Sequence, residues 1–480
     1  MKTFLDEIAQ KLLLNHNTDL RNICVVLPNR RAGLFLKKAL SQIAGKTIWS
    51  PEIFSIEDFL TTISGLSKTD PVALTFELFE IHRELEQENA RDFEQFSKWG
   101  QVMLSDFNEI DMHLIGAKDL YSYLNEVKAI EKWNPDGRPL TKTEKEYLAF
   151  FNSIYKYYDR LQQRLYKKKS GYQGMIYRHV AKNIESVIKN LNWSGIYFAG
   201  FNALTRAEEM VIEYLRDHHQ AELIRDADAY YLDDKNQEAG EFLRQQLNKD
   251  GNKKFGVIST FFRDTSKEIQ IHGIPGKEGQ ARKAGEVLYK IANKNKAQLD
   301  ETAVVLADES LLIPVLNGIP ENSSAFNITM GYPVRLTQPF TFTMLLLRPF
   351  ENVSRFSNLE KEEDKGFYFR DLLRVLSHSL VTGYFDTRNF ITRINESKQV
   401  FYQPDEIIDL AKDTKFKELL GSIFSMSRPS PVQILDIVSE VIAIFRKMLQ
   451  SRIKTNTRDH DSKLQLEYLY HTALINKRIR

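Results

Sequence analysis

The chain has 480 residues, and 66 lysines and arginines against 64 aspartates and glutamates give a net charge of +2. A dedicated basic DNA-binding domain would be more positive, but a large protein can hold one basic channel and balance it with acidic surface elsewhere. The length exceeds what one hydrophobic core supports and predicts roughly three or four domains. The single cysteine, Cys24, excludes an intramolecular disulfide framework and a cysteine-rich metal site.

The apolar runs of the sequence are short. None approaches the ~20 consecutive residues that a membrane-spanning helix requires. Residues 1–14 mix charged and apolar side chains, unlike the uninterrupted apolar stretch of a signal peptide. We therefore predict a cytoplasmic protein that does not enter the membrane.

Residues 1–64 alternate helical and strand patterns. The continuous apolar run Ile23–Leu27 is typical of a strand that is buried on both faces. After Pro28-Asn29, a helix is predicted over residues 31–44, with apolar positions at helical spacing that comprise Leu34, Phe35, Ala39, Leu40 and Ile43. Alternating strands and helices indicate a parallel sheet with helices on its faces.

The rest of the chain divides by pattern. Residues 65–191 show mostly helical periodicity, and we interpret them as an all-helical domain inserted into the first α/β domain. Residues 192–262 return to strands and helices. Residues 265–345 begin another α/β unit, with strands predicted at 268–274 and 302–306. Beyond residue 350 the pattern is again mostly helical.

The tripeptide at 45–47 (GKT) looks like the end of a P-loop, but its surroundings do not fit one. Leu40 stands where the first P-loop glycine belongs, a helix precedes the tripeptide, and Pro51 follows where the phosphate-binding helix would run. The second ATPase element is an acidic residue at a strand end, which holds Mg²⁺. The residue at that position is Ala199, so the sequence predicts that both halves of an ATPase site are missing.

The segment 155–178 interleaves aromatic and cationic side chains. Single-stranded nucleic acid is often held this way, because cations neutralise phosphates while aromatic rings stack on bases. The candidate DNA contacts in this segment are Arg164, Lys167, Lys168, Lys169, Tyr172 and Arg178. The alternative is a surface helix whose tyrosines pack inward and whose final lysines complement the helix dipole.

Arg30 and Arg31 follow a predicted strand at its carboxyl end, where open α/β sheets bind ligands. There they would neutralise DNA phosphates. The alternative is a solvated turn in which Asn29 caps the next helix.

Metal-binding patterns are poor. His218 and His219 are adjacent and point in different directions on a helix. The cluster at 459–461 (DHD) has no partner at ligand spacing. We therefore expect no metal ion and no cofactor in this chain.

Several segments, in the same order, resemble one family of DNA-processing proteins. Residues 23–36 (ICVVLPNRRAGLFL) and 50–59 (SPEIFSIEDF) resemble the start of AddB/RexB-like proteins and, more closely, the large PD-(D/E)XK nuclease-family proteins of Bacteroidetes. Further similar segments are 99–111 (WGQVMLSDFNEID), 171–178 (GYQGMIYR), 197–208 (YFAGFNALTRAE) and 327–333 (NITMGYP). The resemblance spans nearly the whole chain, and none of these segments is catalytic.

The resemblance implies a domain plan of two RecA-like parallel-sheet domains with all-helical insertions, as in superfamily-one helicases. Residues 1–64 and 192–262 would form the first RecA-like domain, without a P-loop, and residues 65–191 its helical insertion. Residues 265–349 would form part of the second RecA-like domain, and residues 350–480 a helical insertion.

The resemblance also implies a function. The chain would be a non-catalytic, helicase-like scaffold of a helicase/nuclease that processes DNA double-strand breaks. It would bind single-stranded or unwound DNA without ATP hydrolysis, beside an AddA-like helicase-nuclease subunit. The family's nuclease site, which uses Mg²⁺, would lie C-terminal to residue 480. Two alternatives stay open: an interaction module that docks a partner helicase, and a nuclease with an unrecognised metal site.

Overall fold

A computed structural model describes residues 2–125, 141–189, 191–250, 256–294, 299, 301–319, 327–331, 333–360 and 366–455. The chain separates into two compact units, residues 1–269 and 270–480. Each unit has its own hydrophobic core. The protein is of the α/β class, and helices predominate in it.

In the first unit, strands and helices alternate in the N-terminal and C-terminal segments of the sequence, and the segment between them is mostly helical. Its strands are β1 (Ile23–Leu27), β2 (Glu52–Ser55), β3 (Ser67–Lys68), β4 (Ser170–Gly171), β5 (Gly195–Ala199), β6 (Ala221–Asp228) and β7 (Gly256–Ser259). Its helices are α1 (Phe4–His16), α2 (Arg30–Ala44), α3 (Ile56–Ser64), α4 (Pro71–Glu86), α5 (Phe93–Met112), α6 (Ala117–Asn125), α7 (Lys142–Lys167), α8 (Gln173–Lys182), α9 (Ile184–Ile188), α10 (Arg206–His218), α11 (Ala229–Asp233), α12 (Glu241–Asp250) and α13 (Phe261–Asp264).

Five strands form one parallel sheet in the order β2-β1-β5-β6-β7. All five residues of β1 are buried, as its continuous apolar run predicts. Val26 of β1 pairs with Phe54 of β2 on one side and with Phe198 of β5 on the other. Because the chain leaves β1 for β2 on one side and later returns to β5 on the other, the strand order reverses between β1 and β5.

Helices cover both faces of this sheet. On one face, Leu12 of α1 and Leu36 of α2 pack in a cluster with Val25. On the other face, Phe59 of α3 packs in a cluster with Phe198 and with residues of α8 and α10. Full burial of such a side chain contributes about 1.5–3 kcal/mol, so these two layers stabilise the sheet.

The middle of the first unit is a helical layer with its own core. Phe96, Phe107, Tyr157 and Leu161 are buried in it. The short strands β3 and β4 pair in parallel at the point where the chain leaves and re-enters this layer. The helix α8 contacts both α5 of this layer and α3 beside the sheet, and so attaches the layer to the sheet.

The second unit is largely helical. Its helices are α14 (Lys277–Lys294), α15 (Leu312–Gly318), α16 (Gln338–Glu360), α17 (Phe369–Leu376), α18 (Ser379–Thr382), α19 (Arg388–Ser397), α20 (Pro404–Asp409), α21 (Thr414–Phe424) and α22 (Pro431–Thr455), and its antiparallel strands are β8 (Phe367–Tyr368) and β9 (Phe401–Tyr402). Its core is built around α16, α17, α21 and α22, with Phe342, Leu346, Phe424 and Phe445 among the buried residues. Within the described residues, no helix combines the length and the apolar character that a bilayer crossing demands.

The predicted strands at 268–274 and 302–306 do not form in this structure; both stretches lack regular structure. Ile269, Ile271 and Val305 are 79%, 91% and 89% exposed. A strand needs a neighbouring strand to pair its backbone groups and a covering layer to bury its side chains. An apolar pattern shows that a segment could use both, but not that both are present. The fold therefore confirms the α/β class and one five-stranded parallel sheet, and both RecA-like domains stay predictions.

Candidate nucleic-acid interface

The carboxyl ends of β1 and β5 lie where the strand order reverses, which is the usual ligand-binding place of an open α/β sheet. Pro28 follows β1 and Gly200 follows β5. Gly200 has a φ of 79°, and a Cβ built on it would lie 3.3 Å from the Phe4 ring and 3.9 Å from Pro28 Cδ. The loops after these two strands are therefore close together, and α2 begins directly after one of them.

Two arginines begin α2 at this edge. Asn29 caps the helix, because its Oδ1 accepts a hydrogen bond from Ala32 N at 2.9 Å. Arg30 donates from Nε and Nη2 to the two carboxylate oxygens of Asp58, at 2.7 and 2.5 Å. This bidentate pair, helped by a hydrogen bond from Ser55, lowers the pKa of Asp58 to about 2. Arg30 is thus already partnered by a carboxylate.

The solvent-facing side of α2 is cationic and aromatic. We call it the α2 outer face, and its exposed residues are Arg31, Leu34, Phe35, Lys37 and Lys38. Leu34 is 68% and Phe35 is 49% exposed, and Arg31 Cζ lies 5.6 Å from the centroid of the Phe35 ring. The helix contains no acidic residue, and its arginines stand at the positive end of the helix dipole, where a carboxylate would be favoured. The potential at this face is therefore suited to an anion.

Leu34 and Phe35 face solvent, although they share helical spacing with Ala39 and Leu40, which are buried. The buried residues of α2 are Gly33, Leu36, Ala39 and Leu40. Apolar residues run along more than one side of α2, so helical spacing alone does not decide which side packs inward. The side of α2 that carries Gly33 packs against β2, because only a residue without a Cβ allows this close approach. An added Cβ on Gly33 would lie 2.9 Å from Ile53 Cγ2 of β2.

The GKT tripeptide at 45–47 ends α2 and is not a phosphate loop. Gly45 is the left-handed residue that terminates the helix, with φ 60° and ψ 5°. Ala199 at the end of β5 is fully buried and offers no carboxylate to a metal ion. Within the described ranges, no three His, Cys, Asp or Glu side chains are grouped so that they could hold a metal ion.

Part of the predicted basic cluster on α7 is neutralised by α4. Arg164 forms an ion pair with Glu84, and Lys168, just beyond α7, forms one with Glu77. Arg164 Nη1 also lies 4.0 Å from a carboxylate oxygen of Glu77. These two cations therefore join two helices and contribute little free positive charge to the surface.

The other two lysines of this cluster are at the surface. Lys167 ends α7, and Lys169 follows it in a left-handed conformation with φ 48°. Both side chains are exposed. The carbonyl oxygen of Lys169 accepts a hydrogen bond from Ser67 N, so its backbone belongs to the β3–β4 pairing while its side chain stays available.

Tyr172 and Arg178 are 5% and 8% exposed, and both contact the fully buried Asp111. Tyr172 Oη donates to Asp111 Oδ2 at 2.5 Å, and Arg178 Nε lies 2.5 Å from Oδ1. Tyr158 and Gln162 also donate to this carboxylate, at 2.6 and 2.7 Å. Burial, with the negative charge of Asp111, raises the pKa of Tyr172 well above its usual value. The structure thus gives Tyr172 and Arg178 an interior role, in place of the predicted contact with DNA.

Asp111 lies at the centre of this network, and the sequence analysis does not single it out. Arg178 Nη2 donates to the carbonyl oxygens of Ile110 and Ile115, at 2.8 and 2.6 Å, and so also satisfies the end of α5. The one available signal was the spacing of Tyr158 and Gln162, which lie one turn apart on α7. That spacing indicates a shared polar partner but does not say which acidic residue it is.

No protein-family model matches this sequence, and a search of curated proteins finds no match.

Proposed function

We propose that this chain is a non-catalytic, helicase-like scaffold that binds single-stranded DNA on the α2 outer face, at the carboxyl edge of its parallel sheet. It holds the DNA without ATP hydrolysis, in an AddB/RexB-like helicase/nuclease that processes double-strand breaks in the cytoplasm. The observation that carries the proposal is a cationic and aromatic helix face beside the reversal of strand order.

The α2 outer face supplies both contacts that single-stranded DNA requires. Arg31 and Lys38 are seven residues apart, about 10 Å along the helix, so they reach different phosphates. Phe35 lies between them and offers its ring to a base, which contributes roughly 1–3 kcal/mol per stacked base. Every base has an aromatic face, so we expect binding with little sequence preference.

Two features of the first unit support the proposal that DNA is bound without ATP hydrolysis. The GKT tripeptide ends a helix, and the end of β5 carries Ala199. A nucleotide site needs glycine-rich backbone before a helix and an acidic residue at a strand end. We therefore infer that the described part of the sheet does not drive unwinding, and that an AddA-like partner subunit does so.

We further infer that residues 265–349 belong to a second RecA-like domain and residues 350–480 to its helical insertion. Lys277 and Asp308 form an ion pair of 2.6 Å. Each follows one of the predicted strands, at 268–274 and 302–306. This ion pair supports the proposal, because neighbouring parallel strands joined by a helix end at the same edge of a sheet.

Fluorescence anisotropy with a labelled oligothymidine of about 20 nucleotides tests the proposal, at ionic strengths between about 50 and 200 mM. We expect saturable binding whose affinity falls steeply with salt, is stronger than for a duplex of equal length, and does not change when ATP is added. Binding that is absent, or that is indifferent to salt, overturns the proposal.

A further inference from the structure

The second unit has a groove of about 650 Å³ between α21 and α22. One wall is made of small residues, because Gly421 and Ser422 lie on α21 and Ser425 follows it. A Cβ on Gly421 would meet only Ile408 Cδ1, at 4.0 Å. The opposite wall is apolar, with Ile437 and Ile444 of α22. Small side chains facing large ones leave a space that the unit's own residues do not fill.

The rim of the groove is acidic. Among the described residues that line it are Glu418, Asp436 and Glu440, and none of the lining residues is a lysine or arginine. Ser422 Oγ donates to Glu440 Oε1 at 3.2 Å, which fixes one carboxylate at the edge of the space. Three like charges around a partly apolar floor repel each other, and a bound cation relieves that repulsion.

The mouth of the groove carries an exposed apolar side chain. Met426 lines it and is 45% exposed. Methionine is flexible and is often used where a surface must adapt to a partner's side chains. A partly apolar groove with an acidic rim is complementary to a ligand that is apolar on one side and positively charged at its edges.

We propose that this groove binds a cationic amphipathic helix of a partner protein. An apolar side chain of that helix enters between α21 and α22, and its lysines or arginines face Glu418, Asp436 and Glu440. Helices recognise grooves in this manner through apolar anchors at helical spacing. The carboxylates repel a phosphate backbone, so this site takes protein and is independent of the DNA site proposed on α2.

The test uses a labelled, amidated peptide of about 14 leucines and lysines arranged as an amphipathic helix, titrated with the full chain. Two variants remove the site by different means: Gly421→Leu fills the groove without changing charge, and Asp436→Lys/Glu440→Lys reverses the rim. We expect each to weaken peptide binding by about 10-fold or more. The control Glu396→Lys/Asp405→Lys makes the same charge change at exposed residues outside the groove. We expect it to weaken peptide binding by about 2-fold or less.

Equal loss in the control pair would show attraction to acidic surface in general and would overturn the proposal. Wild-type affinity in the Gly421→Leu protein, folded by circular dichroism, would overturn it as well. If that variant does not fold, Ser425→Leu fills the same space from a position just after α21. Wild-type affinity of the Ser425→Leu protein for the peptide would likewise overturn the proposal.

Discussion

Arg178 and Asp111 form a buried ion pair that joins α8 to α5. Arg178 Nε lies 2.5 Å from Asp111 Oδ1, and the two residues are 8% and 0% exposed. The arginine also donates to two carbonyl oxygens at the end of α5. A buried charge that loses its partner keeps its desolvation cost. The helical layer of the first unit should therefore be sensitive to change at this pair.

Asp111→Asn leaves Arg178 buried without a counter-charge, and we expect it to lower the free energy of unfolding of the first unit by about 3–5 kcal/mol. Tyr172→Phe removes one hydrogen bond to the same carboxylate and should cost about 1–2 kcal/mol. Urea denaturation followed by tryptophan fluorescence measures both, because all four tryptophans lie within residues 1–269. An Asp111→Asn protein as stable as the wild type would contradict the proposed role of the network.

The attachment of α8 to α5 also depends on a missing side chain. A Cβ on Gly174 would lie 2.2 Å from the carbonyl oxygen of Asn108, whose Oδ1 accepts from Gly174 N at 2.8 Å. We expect Gly174→Ala to destabilise the first unit by about 2–3 kcal/mol in the same denaturation experiment. The control Gly195→Ala adds a Cβ at an ordinary 3.4 Å from Ile23 Cδ1, and we expect it to change stability by less than about 1 kcal/mol.

The Arg30–Asp58 pair predicts a pH dependence. The folded protein holds the pKa of Asp58 at about 2, below its ordinary value of 3.8, so the ionised carboxylate stabilises the fold above pH 4. That contribution is lost as the pH falls from 4 towards 2, and solvent screening limits it to about 1 kcal/mol. Asp58→Asn should therefore melt below the wild type at pH 7 and approach it near pH 3, as differential scanning calorimetry can measure. A difference that grows as the pH falls would contradict this account.

The sequence carried enough information for the first half of the fold. The run Ile23–Leu27 predicts a strand buried on both faces, and the structure places it in the interior of the sheet. Such local patterns are reliable because burial on both faces demands continuous apolar residues. The strands predicted at 268–274 from alternation and at 302–306 from an apolar run did not form, because strand formation depends on distant partners that a local pattern does not contain.

The candidate site was harder to predict, for the same physical reason. Positive charge on Arg164 and Lys168 is visible in the sequence, but their carboxylate partners on α4 are about 80 residues or more away. The exposure of Phe35 is likewise decided by the close approach of Gly33 to β2. Sequence spacing indicated which residues are cationic or aromatic, and tertiary contacts decided which of them face solvent.

The two basic clusters can be separated by matched double variants. Arg31→Ala/Lys38→Ala removes two charges from the α2 outer face, and Arg164→Ala/Lys168→Ala removes two that are paired with Glu84 and Glu77. We expect the first pair to weaken binding of single-stranded DNA by about 10-fold or more and to reduce the salt slope by about 2. The second pair should change affinity by about 2-fold or less. Anisotropy titrations over a range of salt concentrations measure both, and the reverse order would move the site to α7.

Photo-cross-linking tests the central claim most directly, because it reports where the DNA lies. A single-stranded oligonucleotide with 5-bromodeoxyuridine is irradiated with the protein, and the cross-linked peptides are identified by mass spectrometry. The proposed function predicts cross-links within residues 30–44, centred on Phe35. Cross-links confined to residues 155–178, or to the second unit, would contradict it.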